Sequence, residues 1–391
     1  MEKLSRRNFI VGLGAFSCCT MVGWSKMTLA ALPTDQRLMV IIQRGAMDGL
    51  AAVIPYTDKN YHAARGGLAL PDTALLKLDG NFAMHKSLQK FHDLYTQKKL
   101  LAVHAVATPY RERSHFDAQD LLENGTPAPH GMSTGWLGRT VEILGSGAEG
   151  LALGPTIPLV MSGSRNVASW APATLPEADK DFLMRVGKMY EHDEMLANAL
   201  AQGMGMQSTG YEPSGKKGGG KQFIDMMTNA AKFMRAPDGA RLATIDIGGW
   251  DTHVNQGLEN GRLADNFELL SNGIDVFQKG MGELWNKTAI LIITEFGRTV
   301  AVNGTGGTDH GTASTAFLMG GSVSGGRVVG DWPGLASANL YENRDLYPAN
   351  DLRSLLKGVL GQHMKVSEQY LTQNIFPQSE RVAGYKGLFT A

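Results

Sequence analysis

Cysteine is confined to Cys18 and Cys19, and no other thiol occurs in the 391 residues. Neither a disulfide framework nor a thiolate metal site can be built from the chain beyond them. Excess charge is lacking as well. The 37 basic residues are matched by 37 acidic ones, so no basic footprint points to nucleic acid or to an anionic membrane surface. Aromatic residues make up only 8% while glycine numbers 48, a balance that fits a loop-rich α/β chain better than an all-β one. Past residue 31 no apolar run approaches the roughly 20 residues a membrane-spanning helix needs. No internal repeat signals a solenoid or propeller. What is there is a chain long enough to bury a large core.

The first residues read as an address. Ser5-Arg6-Arg7-Asn8-Phe9-Ile10 is a twin-arginine pattern, Ile10 to Gly23 is mildly apolar and Gly-containing, and Thr28-Leu29-Ala30 offers small residues for cleavage. This predicts a signal over residues 1–31 read by the Tat export machinery, and a periplasmic or secreted protein. Both cysteines fall inside it, and Ala15-Phe16-Ser17 is a poor context for lipidation of Cys18. Export in the folded state is compatible with a metal loaded beforehand.

Residues 32–391 are expected to form one domain. Arg37–Gln43, Leu100–Val106, Leu242–Ile247, Thr288–Thr294 and Thr315–Met319 are largely apolar runs, the first of them rich in β-branched residues, the pattern of strands buried on both faces. Pro158–Met161 reads as a further short strand. Lys86–Gln97, His115–Glu123, Glu177–Gln202, Phe223–Arg235 and Leu263–Trp285 have helical spacing, and Ser208–Gly220 reads as a flexible loop. Strands alternating with helices predict an α/β fold, a doubly wound, mostly parallel sheet flanked by helices. A helical elaboration is expected around residues 165–235.

Polar clusters follow several of these strands, at the edge where such sheets place their ligands. Ser114 stands where an N-cap belongs, and a hydroxyl there meets free amides and the positive end of the helix dipole, where phosphate or sulfate binds. A neighbouring base or metal would make it a nucleophile; otherwise it is a plain cap. Arg113 beside it offers a guanidinium for substrate oxygens, and His115 an acid or base. Asp246, Asp251 and His253 carry the donor types that divalent ions accept, Zn²⁺, Mn²⁺, Mg²⁺ or Ca²⁺; equally, Asp251 could cap a turn and His253 face water. Asp309-His310-Gly311 lies in a loop rich in glycine. Asp48 and Glu295 each end a buried strand, as a turn-former or as a ligand. His62, His85, His92, His104, His130, His192 and His363 read as core or surface histidines, with His104 buried in its strand.

Taken in order, Arg44-Gly45-x-x-Asp48-Gly49-Leu50, Pro109-Tyr110-Arg111-x-Arg113-Ser114-His115-Phe116-Asp117, Gly249-Trp250-Asp251-Thr252-His253, Thr294-Glu295-Phe296-Gly297-Arg298-Thr299 and Gly307-Thr308-Asp309-His310-Gly311 resemble a bacterial family defined by a domain of unknown function, number fifteen-oh-one. The resemblance spans residues 32–391 and implies a fold related to the alkaline phosphatase and sulfatase superfamily. Those enzymes use a Ser, Thr or modified Cys nucleophile at a helix start, with Asp and His holding one or two divalent metals. Two registers are open. In one, Asp309-His310 is the Asp-His ligand pair. In the preferred one, Glu295 and Phe296 follow the strand in that pair's place, and His310 is the later His. Ser114 then matches the nucleophile, Asp48 the first-strand carboxylate, and Asp246 or Asp251 with His253 the remaining ligands.

The expected function is an exported, metal-dependent hydrolase of phosphate or sulfate esters, acting on a small molecule or a polysaccharide. Catalysis is expected from Ser114, His115 and Arg113, with the metal among Asp48, Asp246, Asp251, His253, Glu295, Asp309 and His310. The alternative is a non-catalytic periplasmic binding or assembly protein, suggested by Phe296 in a ligand position.

Overall fold

The computed structural model describes residues 34–145, 147–172, 180–190, 193, 195–198, 200 and 219–390. The signal expected over 1–31, most of the loop expected from 208 to 220, and parts of the helix expected over 177–202 lie outside the described residues. Nine strands join in one sheet: β1 (Arg37–Gln43), β2 (Leu100–Ala107), β3 (Gly150–Leu153), β4 (Val167–Trp170), β5 (Leu242–Ile247), β6 (Thr288–Ile293), β7 (Ser314–Gly320), β8 (Arg327–Val329) and β9 (Asn350–Asp351). Their order across the sheet is β8-β2-β7-β6-β1-β5-β3-β4, with β9 beside β2. The three central strands β1, β5 and β6 run parallel in tight register, Ile42 facing Asp246 on one side and Ile293 on the other.

Strand β7 alone runs against its neighbours β6 and β2. The reversal decides where the chemistry gathers. A parallel strand delivers the residues that follow it to the carboxyl edge; a reversed strand delivers those that precede it. Glu295 after β6 and His310 before β7 therefore reach the same edge.

Alternation along β1 sends side chains to two cores. Met39 and Ile41 pack with Phe267 and Ile274 of the helix Arg262–Met281, Met227 of the helix Gly219–Arg235, and Phe91 of the helix Gln89–Thr96. Leu38, Val40 and Ile42 pack with Trp136 of the helix Trp136–Leu144 and Leu356 of the helix Leu352–Gln362. The sheet is thus mostly parallel and covered by helices on both faces, the class expected. Among the described residues no helix is long and apolar enough to cross a membrane.

One expectation fails. Leu159–Met161 is a 3-10 turn, not a strand. The buried carboxylate of Glu123 binds the Val160 amide at 2.8 Å, which takes the place of a ladder bond. The stretch 165–235 opens with β4, paired in parallel with β3, and its described residues continue in the helices Lys180–Tyr190 and Gly219–Arg235. At four residues, none of them fully buried, Val167-Ala168-Ser169-Trp170 is too short a run to announce a strand.

Candidate metal centre

Three imidazoles meet at the carboxyl edge, each from a different element. His115 opens the helix His115–Asn124 after β2, His253 follows β5, and His310 precedes β7. His115 Nε2 lies 2.9 Å from His310 Nε2, which lies 3.0 Å from His253 Nε2. Asp251 joins them. Its Oδ1 is 2.9 Å from His253 Nε2 and 3.4 Å from His310 Nε2, and its Oδ2 is 3.7 Å from His115 Nε2.

Each ring is held from behind. His115 Nδ1 donates to Glu295 Oε1 at 2.8 Å, His253 Nδ1 to Asp309 Oδ1 at 3.2 Å, and His310 Nδ1 to the carbonyl of Arg113 at 3.0 Å. Carbonyl and carboxylate oxygens only accept, so these bonds place the hydrogen on Nδ1 and leave a lone pair on Nε2 in the neutral ring. Burial, then the neighbouring charge of His115, lowers the pKa of His310, which favours that neutral form. Three lone pairs and a carboxylate aimed at each other repel unless a cation lies among them. Donors bound to one ion at about 2.0–2.2 Å in a tetrahedral array stand roughly 3.4 Å apart. The spacings here bracket that value, so the residues fit a divalent ion. His115, Asp251 and His310 bring one ligand atom each within 4.8 Å of the others, and His253 Nε2 lies beside Asp251 and His310 without joining that group.

The family described as "Protein of unknown function (DUF1501)" matches residues 35–375. The chain belongs to that family. No curated protein matches it. Among solved structures it is similar to Ps i-CgsB in complex with k-i-k-neocarrahexaose, at 9% identity and a TM-score of 0.42, covering 75% of this chain and 68% of that one. The C-terminal periplasmic domain of EcEptC from Escherichia coli, in complex with Zn, follows at 11% identity and 0.37, covering 73% and 72%. BT1596, a 2-O GAG sulfatase, stands at 10% and 0.37, covering 75% and 66%. Overlaps this partial carry no functional argument; that rests on the side chains.

Glu295 was expected as a ligand and is not one. Fully buried at 0% exposure, it accepts from the Gly45 amide at 2.8 Å, from Gln119 Nε2 at 3.2 Å and from His115. Thr294 donates to its other oxygen at 2.9 Å. Burial raises its pKa, but the bonds from His115 and the surrounding amides outweigh that and hold it below the usual range. It is an ionised support behind His115. Asp309 supports His253 in the same way, with Asn303 donating at 3.1 Å.

Asp48 is also not a ligand. Its Oδ2 takes Arg65 Nη2 at 2.6 Å and Gln256 Nε2 at 2.7 Å, while Oδ1 accepts the amides of Leu50 and Ala51. No lone pair is left for an ion. Asp246, expected with Asp251, pairs instead with Arg44 at 2.8 Å; it points to the opposite side of β5 from Ile245 and Ile247 and stays outside the cluster. Arg113 does not face substrate either: its guanidinium is taken by Asp345 at 2.8 Å and by Glu342. Its backbone does the work, at a left-handed φ of 60° that presents its carbonyl to His310. Ser114 occupies the N-cap position without any capping bond.

Phe296 holds no ligand's place. It is the wall of the centre, its ring 4.8 Å from that of His115 and 5.2 Å from that of His310. The site's missed member is Arg298, buried at 2%. It binds Asp251 Oδ1 at 2.7 Å and is anchored by Thr308 through Nε at 3.1 Å. Partial burial lifts the pKa of Asp251, and the bond and charge of Arg298 more than reverse this. Gln119 was legible in hindsight, four residues after His115 on one helix face. Gly307 is required where it is: a Cβ there would sit 2.3 Å from the His253 carbonyl.

Proposed function

We propose that the protein is an exported hydrolase of phosphate or sulfate esters that works with a divalent metal held by His115, His310 and Asp251, with His253 beside them. The observation that carries the reading is the convergence of three imidazoles whose Nδ1 atoms are all tied to acceptors. Two nitrogens and one carboxylate, with a third nitrogen beside them, suit Zn²⁺ or a similar transition ion better than Mg²⁺ or Ca²⁺, which prefer oxygen. Such an ion, when bound, supplies a Lewis acid beside the ester. Export rests on the twin-arginine segment, with residues 1–31 removed and residues 32–391 forming one α/β domain.

The chain's own residues favour an anionic ester. The helix His115–Asn124 begins at the centre and no side chain caps it, so its first-turn amides and dipole are open to sulfate or phosphate oxygens. Ser114 immediately precedes those amides and is the proposed nucleophile. Glu295 and Asp309 hold the rings of His115 and His253, and Arg298 holds Asp251, so the donors are fixed before substrate arrives. Phe296 excludes water from one side.

Elemental analysis of protein purified from its native host tests the reading together with aryl phosphate and aryl sulfate turnover. One transition ion per chain is expected. His310→Ala should lose the ion and reduce turnover to background. The reading fails if the active protein carries no stoichiometric metal and Ser114→Ala turns over as the parent does.

A further inference from the structure

The three imidazoles are not held alike. His115 and His253 give their Nδ1 hydrogens to the carboxylates of Glu295 and Asp309. His310 gives its own to a backbone carbonyl, that of Arg113. Arg113 presents that carbonyl from a left-handed φ of 60°. A residue with a Cβ pays for this conformation and keeps it only where its surroundings enforce it.

The enforcing group is the carboxylate of Asp345. Its Oδ2 takes Arg113 Nε at 2.8 Å. Its Oδ1 takes Arg344 Nε at 2.8 Å, and Arg344 Nη2 in turn donates to the His310 carbonyl. One acid thus stands behind two contacts of His310, the ring through Arg113 and the main chain through Arg344. Asp345 is itself immobilised. It is 0% exposed and follows a tight turn in which Glu342 and Asn343 both have left-handed φ, 52° and 54°, as in the mirror-image turns of hairpins. Its amide and carbonyl pair with the carbonyl and amide of Tyr341 at 3.0 and 2.9 Å. Backbone bridges join His310 to Arg298 and Asp345 to the next residue, Thr299, so acid and imidazole share one scaffold. Glu342 also pairs with Arg113, but its side chain is 57% exposed and such a pair positions little.

We infer that Asp345 is a positioning residue of the centre: it fixes the Arg113 carbonyl and the Arg344 guanidinium, and through them the tautomer and aim of His310. The consequence for the ion rests on the metal reading above, in which His310 Nε2 is a ligand. Groups that support a ligating imidazole are worth about 10–100-fold in metal affinity. Asp345 does at one remove what Glu295 and Asp309 do by direct contact.

Two measurements on the full chain test this without any turnover: zinc affinity by competition with a chelator, and nitrogen NMR of His310 in the zinc-free protein at about pH 8, above the imidazole range. In the parent the hydrogen should sit on Nδ1 of His310. Asp345→Asn should lower zinc affinity about tenfold or more and let the hydrogen spread to Nε2. Glu342→Gln, which removes the exposed acid from the same guanidinium, should leave the tautomer alone and zinc affinity within about threefold of the parent. If Asp345→Asn does not fold, the two routes are cut singly: Arg113→Met should move the tautomer, and Arg344→Gln should weaken zinc. A folded Asp345→Asn that loses stability yet keeps the parent's tautomer or zinc affinity overturns the inference, as do parent-like values in both single-route variants; the metal reading then stands. A parent chain that takes up no stoichiometric zinc overturns the metal reading instead, and the tautomer alone decides the role of Asp345.

Discussion

Asp48 and Glu295 end adjacent parallel strands, β1 and β6, and both are withdrawn from water, at 1% and 0% exposure. Their partners differ. Asp48 meets the permanent cation of Arg65, one amide side chain and two backbone amides; its charge is balanced and every oxygen is occupied. Glu295 meets an amide, a hydroxyl, Gln119 and an imidazole, with no permanent cation among them. A buried carboxylate held ionised without a cation needs positive charge just beyond its contacts. On the metal reading proposed above, that charge would be the ion on the far side of His115. The same carboxylate group at the same sheet edge balances a buried cation in one case and holds an imidazole of the candidate site in the other, and the partner decides which.

The comparison breaks most visibly at Asp48. Asp48→Asn leaves the buried guanidinium of Arg65 unpaired, which should cost about 3–5 kcal/mol of unfolding free energy. Chemical denaturation measures the loss. Metal stoichiometry in the fraction that remains folded should be unaltered. A variant that keeps its stability but loses metal would place Asp48 in the centre after all.

Glu295→Gln tests the other half. The amide keeps the volume but offers His115 Nδ1 a weaker acceptor, and removes the negative charge. Metal affinity or turnover should fall about 10–100-fold, with little change in denaturation midpoint for the chelated protein. An unchanged metal affinity would mean that His115 needs no carboxylate behind it.

Much of the frame was legible because its signals are local. The largely apolar runs of β1, β2, β5 and β6 are buried at nearly every position, and such runs have few other places to go. His115, Asp251, His253 and His310 stood out because each sits in a polar segment close to an apolar run, His310 before its strand and the others after theirs. What stayed hidden was relational. A carboxylate that holds an imidazole and one that binds an ion look alike in sequence, so Glu295 and Asp309 were taken for ligands. That Arg298 reaches Asp251 across 47 positions, or that β7 is reversed, follows only from packing. Arg113 shows a further limit: its side chain suggested substrate binding, whereas the site uses its carbonyl.

Histidines outside the centre sharpen the contrast by titration. His104 and His363 donate to the carbonyls of Val53 and Arg37 at 2.9 Å each, and burial pushes both pKa values down to about 4. They stay neutral in the folded chain while the unfolded chain protonates them below about 6.5. Their contribution is complete above pH 6.5 and is lost as pH falls toward 4, where the unfolded state binds more protons. Urea titrations of the chelated protein across that window should lose roughly 1.4 kcal/mol per pH unit for each of the two at most. His104→Gln should flatten the slope; an identical slope would remove His104 from the account.

The smallest effect is expected at Asp246, the acid on β5 that pattern alone placed with Asp251. Its partner Arg44 also binds Glu123 Oε1 at 2.7 Å, and the two acids differ sharply: the Asp246 side chain is 38% exposed and that of Glu123 7%. Removing the exposed member, Asp246→Asn, should change stability by no more than about 1 kcal/mol and leave metal content intact. Removing the shared cation, Arg44→Met, should cost more, because Glu123 would keep a buried charge with only the Val160 amide to meet it. The order of those two losses is the measurement. If Asp246→Asn proves the costlier, or depletes the metal, then β5 sends a second carboxylate to the centre and the assignment of Asp251 as its sole acid is wrong.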